Sequence, residues 1–479
     1  MPDIRSVVRW GCTLIICLAV MGLLAAPAGA QDQPEQPVVT LRQWATGASA
    51  TSQYGESDWS SLRVTGAPDT FACGDQRTAW ASAEATGVDS LTVTYDIPLV
   101  PTQINIYQSY NPGAITGIEL VLADGSGTVP VPDSADPGTE CPGVLSIDVL
   151  DATAPVNGVI IHLDQTITGD WNEIDAVELV GVLEMGSEVS LWASSASATS
   201  QYSDTSWSAR QVTGAPDSPE CADQATAWAS ETSSGQDVLT VQFPLPVIPT
   251  RLDIVQTYNP GAITSVDLIL ANGRTVPVAD SADPGTECPG MFSLALDEPN
   301  AVIGAAIHLD QTITGDWSEI DAVSITGAVA GGLLHQWATG ASATSQYGTS
   351  GWSVLQATGA PDSIGCGDQA MAWASATPTG VDTLTVSFMA DVVPTQVNIY
   401  QVYNPGAITG IELVLADGSG TVPVPDSADP GTECPGVLSV DVPDATAPVN
   451  GVIIHLDQTI TGDWNEIDAV ELVGTLGAD

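Results

Sequence analysis

Carboxylates at fixed places are the first residues in this chain with chemistry to offer. Asp69 follows a Gly-Ala-Pro turn, Asp75 lies six residues on, and Glu173 and Asp175 stand near the end of the same stretch. The set recurs as Asp217, Asp223 and Glu319, and again as Asp362, Asp368 and Glu466. Hard divalent cations prefer such oxygens, drawn from carboxylates and backbone carbonyls on irregular loops. The plainer alternative is that Asp69 caps its turn and Glu173 is a solvated strand end. Glu173 and Asp175 also share one face of a strand, about 7 Å apart, a spacing that does not exclude a glycosidase pair. Three near-identical active sites with no other module beside them would be odd, so a non-catalytic protein is expected.

The aromatics repeat in the same way. Trp59 and Trp171 lie in polar loops, and Tyr54 and Tyr110 can join them. Their equivalents are Tyr202, Trp207, Tyr258 and Trp317, then Tyr347, Trp352, Tyr403 and Trp464. An exposed indole face is a platform for a sugar ring or a partner side chain; the competing reading is that these rings pack loops onto the fold. Trp80, flanked by alanines, belongs to the core. His162, His308 and His455 share one position on an apolar strand, where a histidine satisfied within the sheet is expected. The sequence holds no His-Glu-x-x-His zinc motif, Gly-x-Ser-x-Gly elbow or phosphate-binding glycine loop.

What must position these groups is a repeat. Tyr-Asn-Pro-Gly-Ala-Ile-Thr occurs three times without change, starting at Tyr110, Tyr258 and Tyr403, and a repeat is read before anything else. Pro presets φ in a tight turn and Gly permits φ > 0 after it, so the segment predicts a hairpin between flanking strands. Copies span 41–181, 190–327 and 334–474, joined by short connectors and preceded by a flexible lead-in at 31–40. Within a copy, apolar residues alternate with period two over short runs, for example Ser90-Leu91-Thr92-Val93-Thr94-Tyr95, followed by breaks at Pro98 and Pro101. No window keeps helical spacing over a full helix. Seven or eight such strands with Gly and Pro between them predict a β-sandwich.

Composition narrows the partners. The 479 residues include 58 Asp or Glu against 8 Arg and no Lys, a formal net charge of −50. Nucleic acid is not expected, because phosphate neutralisation needs cations, and an anionic membrane surface would repel the chain. Such acidity serves solubility or a salt-rich habitat, and also leaves carboxylates for cations. Residues 1–30 have the basic start, apolar core and small-residue end of a secretory signal; a retained anchor is the alternative. Cysteine usage agrees with export. Cys73 and Cys141, Cys221 and Cys288, and Cys366 and Cys434 fall at two fixed places per copy, which predicts one disulfide per domain in a secreted, extracellular protein.

The segments Ala48-Ser49-Ala50-Thr51-Ser52-Gln53-Tyr54, Trp59-Ser60, Thr65-Gly66-Ala67-Pro68-Asp69 and Ala79-Trp80-Ala81-Ser82 resemble the start of a discoidin-type, galactose-binding-like domain related to the coagulation-factor C-type modules. The Tyr-Asn-Pro-Gly-Ala-Ile turn and the ending Trp171-Asn172-Glu173-Ile174-Asp175-Ala176-Val177 are more similar to the module of pappalysin metalloproteases and a leucine-rich-repeat F-box protein. The resemblance covers each copy end to end. It implies an all-β chain of three tandem jelly-roll sandwiches whose loops at one end bind ligands, often sugars. It also implies a structural calcium where first and last segments meet, with the Glu of the final strand opposite the Asp loop. The expected function is multivalent, non-catalytic recognition of carbohydrate or a cell-surface protein. A structural or adhesive protein without a sugar pocket is the second reading, and a diverged hydrolase the third.

Overall fold

The computed structural model describes residues 37–477 except residue 364; the secretory-signal reading at 1–30 lies outside the described residues. Eight strands build the first repeat: β1 (Val38–Trp44), β2 (Gly47–Ala50), β3 (Val88–Tyr110), β4 (Ile115–Leu122), β5 (Thr128–Val131), β6 (Gly143–Asp148), β7 (Val156–Asp164) and β8 (Glu173–Glu184). All pairings are antiparallel. One sheet runs β2, first half of β3, β7, β4, β5. The other runs β1, β8, second half of β3, β6. The same eight-strand order recurs between Glu188 and Val329 and between Gly332 and Leu476. Alternation along β3 sends Leu91, Val93, Tyr95, Ile97 and Leu99 inward, and Trp80 closes the core at 0% exposure. The protein is therefore three tandem β-sandwiches, as the period-two runs predict.

Two local expectations are corrected. Pro98 and Pro101 do not break the strand: β3 runs 23 residues through both. It leaves the first sheet after Thr94, and its ladder resumes at Leu99 with β7 and at Val100 with β8. Pro98 falls in that gap, and Pro101 borders a register shift, where a missing N–H is tolerated. Within the gap, the Gln43 side chain accepts from Ile97 N at 3.3 Å and donates to Ile97 O at 2.6 Å, satisfying a buried backbone pair. β8 passes so close to β3 there that a Cβ on Gly181 would lie 2.6 Å from Val100 O.

The repeated heptapeptide is not a hairpin either. β3 pairs with β8 at its end (Tyr110 opposite Glu173), whereas β4 pairs with β7 (Ile115 opposite Leu163). The turn carries the chain from one sheet to the other, with Asn111 at φ 45° and Gly113 at φ 118°. This crossing sets Tyr110 beside Glu173.

Disulfides join Cys73 to Cys141, Cys221 to Cys288 and Cys366 to Cys434, as the fixed positions predict. β1 begins inside the segment read as a flexible lead-in, and β8 extends to Glu184, leaving only three residues before the next strand at Glu188. The repeats then close on one another. Leu41 of repeat 1 pairs with Ala390 on the long strand of repeat 3. The first strands of repeats 2 and 3 lie against the long strands of repeats 1 and 2. Thr46, Ser194 and Thr339, one equivalent position from each repeat, line a common cavity. Head-to-tail contacts that return to their start make a ring, here with pseudo-threefold symmetry inside one chain.

Candidate functional site

The loop between β2 and β3 is fastened at its far end to β8. Trp80 N donates to Ile174 O at 2.8 Å and Ile174 N to Trp80 O at 3.1 Å. Nearer its start, Gln53 Oε1 accepts from Ser61 N at 3.0 Å, holding the short 3-10 turn Ser61–Val64. Between these anchors Trp59 sits at φ 53°, and Trp207 and Trp352 at 54°. A bulky residue in the left-handed region is strained by about 1–3 kcal/mol and persists only where its surroundings hold it. Here the indole Nε1 donates to Asp75 Oδ1 at 2.9 Å, and Trp59 N donates to Arg77 O at 3.1 Å.

Tyr54 stands edge-on to two indoles, 5.3 Å from Trp59 and 5.6 Å from Trp171. Trp171 is fixed in turn by Nε1 donating to Ser82 O at 2.9 Å. The Tyr110 hydroxyl donates to Asp170 Oδ2 at 3.0 Å. The same edge-on contacts recur in repeats 2 and 3. In repeat 2 the group encloses about 250 Å³, lined by Tyr202, Trp207, Tyr258 and Trp317 with Asp223, Asp316 and Glu319. All four aromatics named from the sequence in that repeat thus converge, and carboxylates meet them.

The acidic residues named as one metal set divide into two pairs. Glu173, 2% exposed, accepts from Gln76 N at 2.9 Å and lies beside Asp75; burial, reinforced by Asp75, pushes its carboxyl up to about 8. Asp175, 3% exposed, accepts from Thr70 N at 3.1 Å and lies beside Asp69. Burial and the Asp69 charge push it up to about 7. Glu319 and Glu466 repeat the first shift, to about 8 and about 7, and Asp468 the second, to about 7. Among the described residues no three His, Cys, Asp or Glu side chains group as a metal site. Asp69, Asp217 and Asp362 adjoin Asp175, Asp321 and Asp468, whereas Asp75, Asp223 and Asp368 adjoin the glutamates. Glu319 lines the aromatic cavity of repeat 2, and Asp175 lines a different one at the edge of repeat 1.

Asp170, Asp316 and Asp463, which bond the tyrosines, were not singled out from the sequence. Their fixed place one residue before a loop tryptophan was the available signal. His162 is satisfied within the sheet, between Ser90 Oγ at 2.9 Å and Glu119 Oε1 at 3.2 Å.

A family model described as Pappalysin-1, SD scarf domain, C-terminal, matches residues 36–188, 183–332 and 327–478. Among solved structures, a fucolectin from striped bass (Morone saxatilis) serum is similar at 9% identity, covering 60% of this chain and 99% of that one, TM-score 0.25. Allantoicase from Saccharomyces cerevisiae is similar at 12% identity, over 59% of this chain and 90% of that one, TM-score 0.30. The family 32 carbohydrate-binding module from C. perfringens NanJ, solved in complex with galactose, is similar at 18% identity, over 29% and 99%, TM-score 0.23. No curated protein matches the chain.

Proposed function

The chain belongs to the SD scarf domain family of pappalysin-1, three times over, and from that premise we propose a secreted, non-catalytic protein that recognises carbohydrate multivalently. The observation that carries this reading is the Tyr54–Trp59–Trp171 box with Asp75, Asp170 and Glu173 around it, present in every repeat. Indole faces suit the apolar C–H face of a sugar ring. Carboxylates accept hydrogen bonds from its hydroxyls, and charged acceptors bond more strongly than neutral ones. Tyr54, 57% exposed, leaves the box open to solvent. Three sites on one closed ring are fixed relative to one another, so a surface bearing repeated glycans gains avidity, about 10²–10⁴-fold where its spacing matches. Export is supported by a disulfide in each repeat.

Calcium is part of the same proposal, at a narrower place than the sequence implied. Exposed Asp75 and buried Glu173 form a like-charge pair, which either shares a proton or takes a cation. Hard oxygens suit calcium, and backbone carbonyls of the loop would complete its shell. Bound there, calcium would neutralise the pair and offer coordination to sugar hydroxyls. Asp69 is left to the other pair.

The test is a glycan array probed with the full chain in calcium buffer. Binding to a defined glycan class, lost when Trp59, Trp207 and Trp352 are all replaced by Ala, supports the reading. An array that stays blank while the chain captures cell-surface protein favours the adhesive alternative. Turnover of a glycan would restore the hydrolase.

A further inference from the structure

The second carboxylate pair opens onto a seam of the ring, away from the aromatic boxes. In repeat 3 that pair is Asp362 and Asp468, and Asp362 is held by a guanidinium: Arg210 of repeat 2 reaches across the seam to its Oδ2. Arg210 occupies the position that Leu62 fills in repeat 1 and Leu355 in repeat 3. By the ring's symmetry, Leu355 is the residue that repeat 3 presents toward the Asp69–Asp175 pair of repeat 1. Among the described residues, no cation pairs with it as Arg210 pairs with its counterpart.

A cavity of about 340 Å³ lies at this seam, lined by Trp44, Phe71, Tyr107 and Asp175 of repeat 1 and by Ser342 and Thr385 of repeat 3. Trp44 and Tyr107 meet edge-on at 5.4 Å. The indole lies against Gly340 so closely that a Cβ there would come within 3.3 Å of Trp44 Cζ2. Asp175 is 3% exposed, and among the described residues its Oδ1 has no hydrogen-bond partner. An unpaired buried carboxylate oxygen is costly, and this one borders an aromatic-walled space. Aromatic faces attract cations, a guanidinium pairs with carboxylates through a planar fork, and the net charge of −50 concentrates cations at the surface. Repeat 2 does not reproduce the wall, because Val255 stands where Tyr107 does and Pro219 where Phe71 does.

We propose that the cavity at the seam between repeats 1 and 3 is a receptor for one guanidinium group, taken between the Asp69–Asp175 pair and the Trp44–Tyr107 wall as Arg210 is taken by Asp362. The inference does not depend on sugar binding, since it uses other residues and another cavity. The ligand is a small guanidinium compound or an arginine side chain of a partner, which share this chemistry.

Calorimetric titration of the full chain with methylguanidinium tests it, with methylammonium as the cation control. One guanidinium per chain is expected, bound at least tenfold more tightly than methylammonium and weakened at least tenfold by Asp175→Asn. Leu355→Arg should supply the group internally, abolish binding and raise the Tm, while Leu355→Met leaves both unchanged. Arg210→Ala should vacate the repeat 3 pair and raise the count from one to two. An Arg-Gly dipeptide binding better than methylguanidinium assigns the site to a peptide arginine, and the reverse order to a small metabolite-like cation. The proposal is overturned by no heat with either probe, by equal binding of the two cations, or by binding that survives Leu355→Arg.

Discussion

The indole nitrogen of Trp59 donates to Asp75 Oδ1 at 2.9 Å, and Trp207–Asp223 and Trp352–Asp368 repeat the bond at 2.8 Å. This one contact joins the two halves of the candidate site. It holds an aromatic in an unfavourable backbone region and keeps a second carboxylate close to buried Glu173.

Protonation follows from burial first and from neighbouring carboxylates second. Glu173 is pushed up to about 8 and Asp175 to about 7, against about 4.3 and 3.9 for the unfolded chain. A carboxyl that holds its proton more tightly when folded contributes stability that is complete below the unfolded value. That contribution is lost as pH rises through the folded value. In chelator, at constant ionic strength, the Tm should fall steadily between about pH 5 and about pH 8.5. Asp75→Asn, Asp223→Asn and Asp368→Asn together should make the fall shallower without removing it, because burial of the glutamates and the Asp175 and Asp468 shifts remain. A Tm that rises over this window would contradict the paired-carboxylate geometry.

Calcium should act on the same interval. A ligand held only by the folded chain stabilises by mass action, and one that needs both carboxylates ionised binds better as pH rises. Scanning calorimetry at about pH 8, with the cation at about a hundredfold its Kd, should show stabilisation of about 3 kcal/mol for each site filled. Glu173→Gln should reduce the bound calcium by one site. Unchanged calcium content in that variant would remove Glu173 from the ligand set.

Much of the fold was legible because alternation is a local signal. The inward residues in the first half of β3 follow it, and paired cysteines mark one bridge per repeat. What escaped depends on distant partners. Pro98 looks like a break until the strand is seen to change sheets there, with Gln43 satisfying Ile97. The heptapeptide looks like a hairpin because its turn chemistry is correct, yet each flank finds its partner on a remote strand. The aromatic box was legible by residue type and place. The division of Asp69 from Asp75 was not, since it turns on which of Glu173 and Asp175 each carboxylate meets.

The bridges should carry stability in proportion to the long loops they close. Cys73 and Cys141 are 68 positions apart, and replacing both with Ser is expected to cost about 2–5 kcal/mol, read from guanidinium chloride unfolding of the full chain. A loss below about 1 kcal/mol would mean that residual structure already confines this loop in the unfolded chain.

The central claim is that the aromatic boxes are carbohydrate sites working together. Surface-plasmon binding to an immobilised glycan selected on the array tests it most directly, using the full chain with none, one, two or all three of Trp59, Trp352 and Trp207 replaced by Ala. Each replacement is expected to weaken the apparent affinity by roughly tenfold, the order of a buried tryptophan contact, until the triple variant no longer binds while its Tm and circular dichroism show it folded. A folded triple variant that binds as tightly as the parent chain would contradict the account.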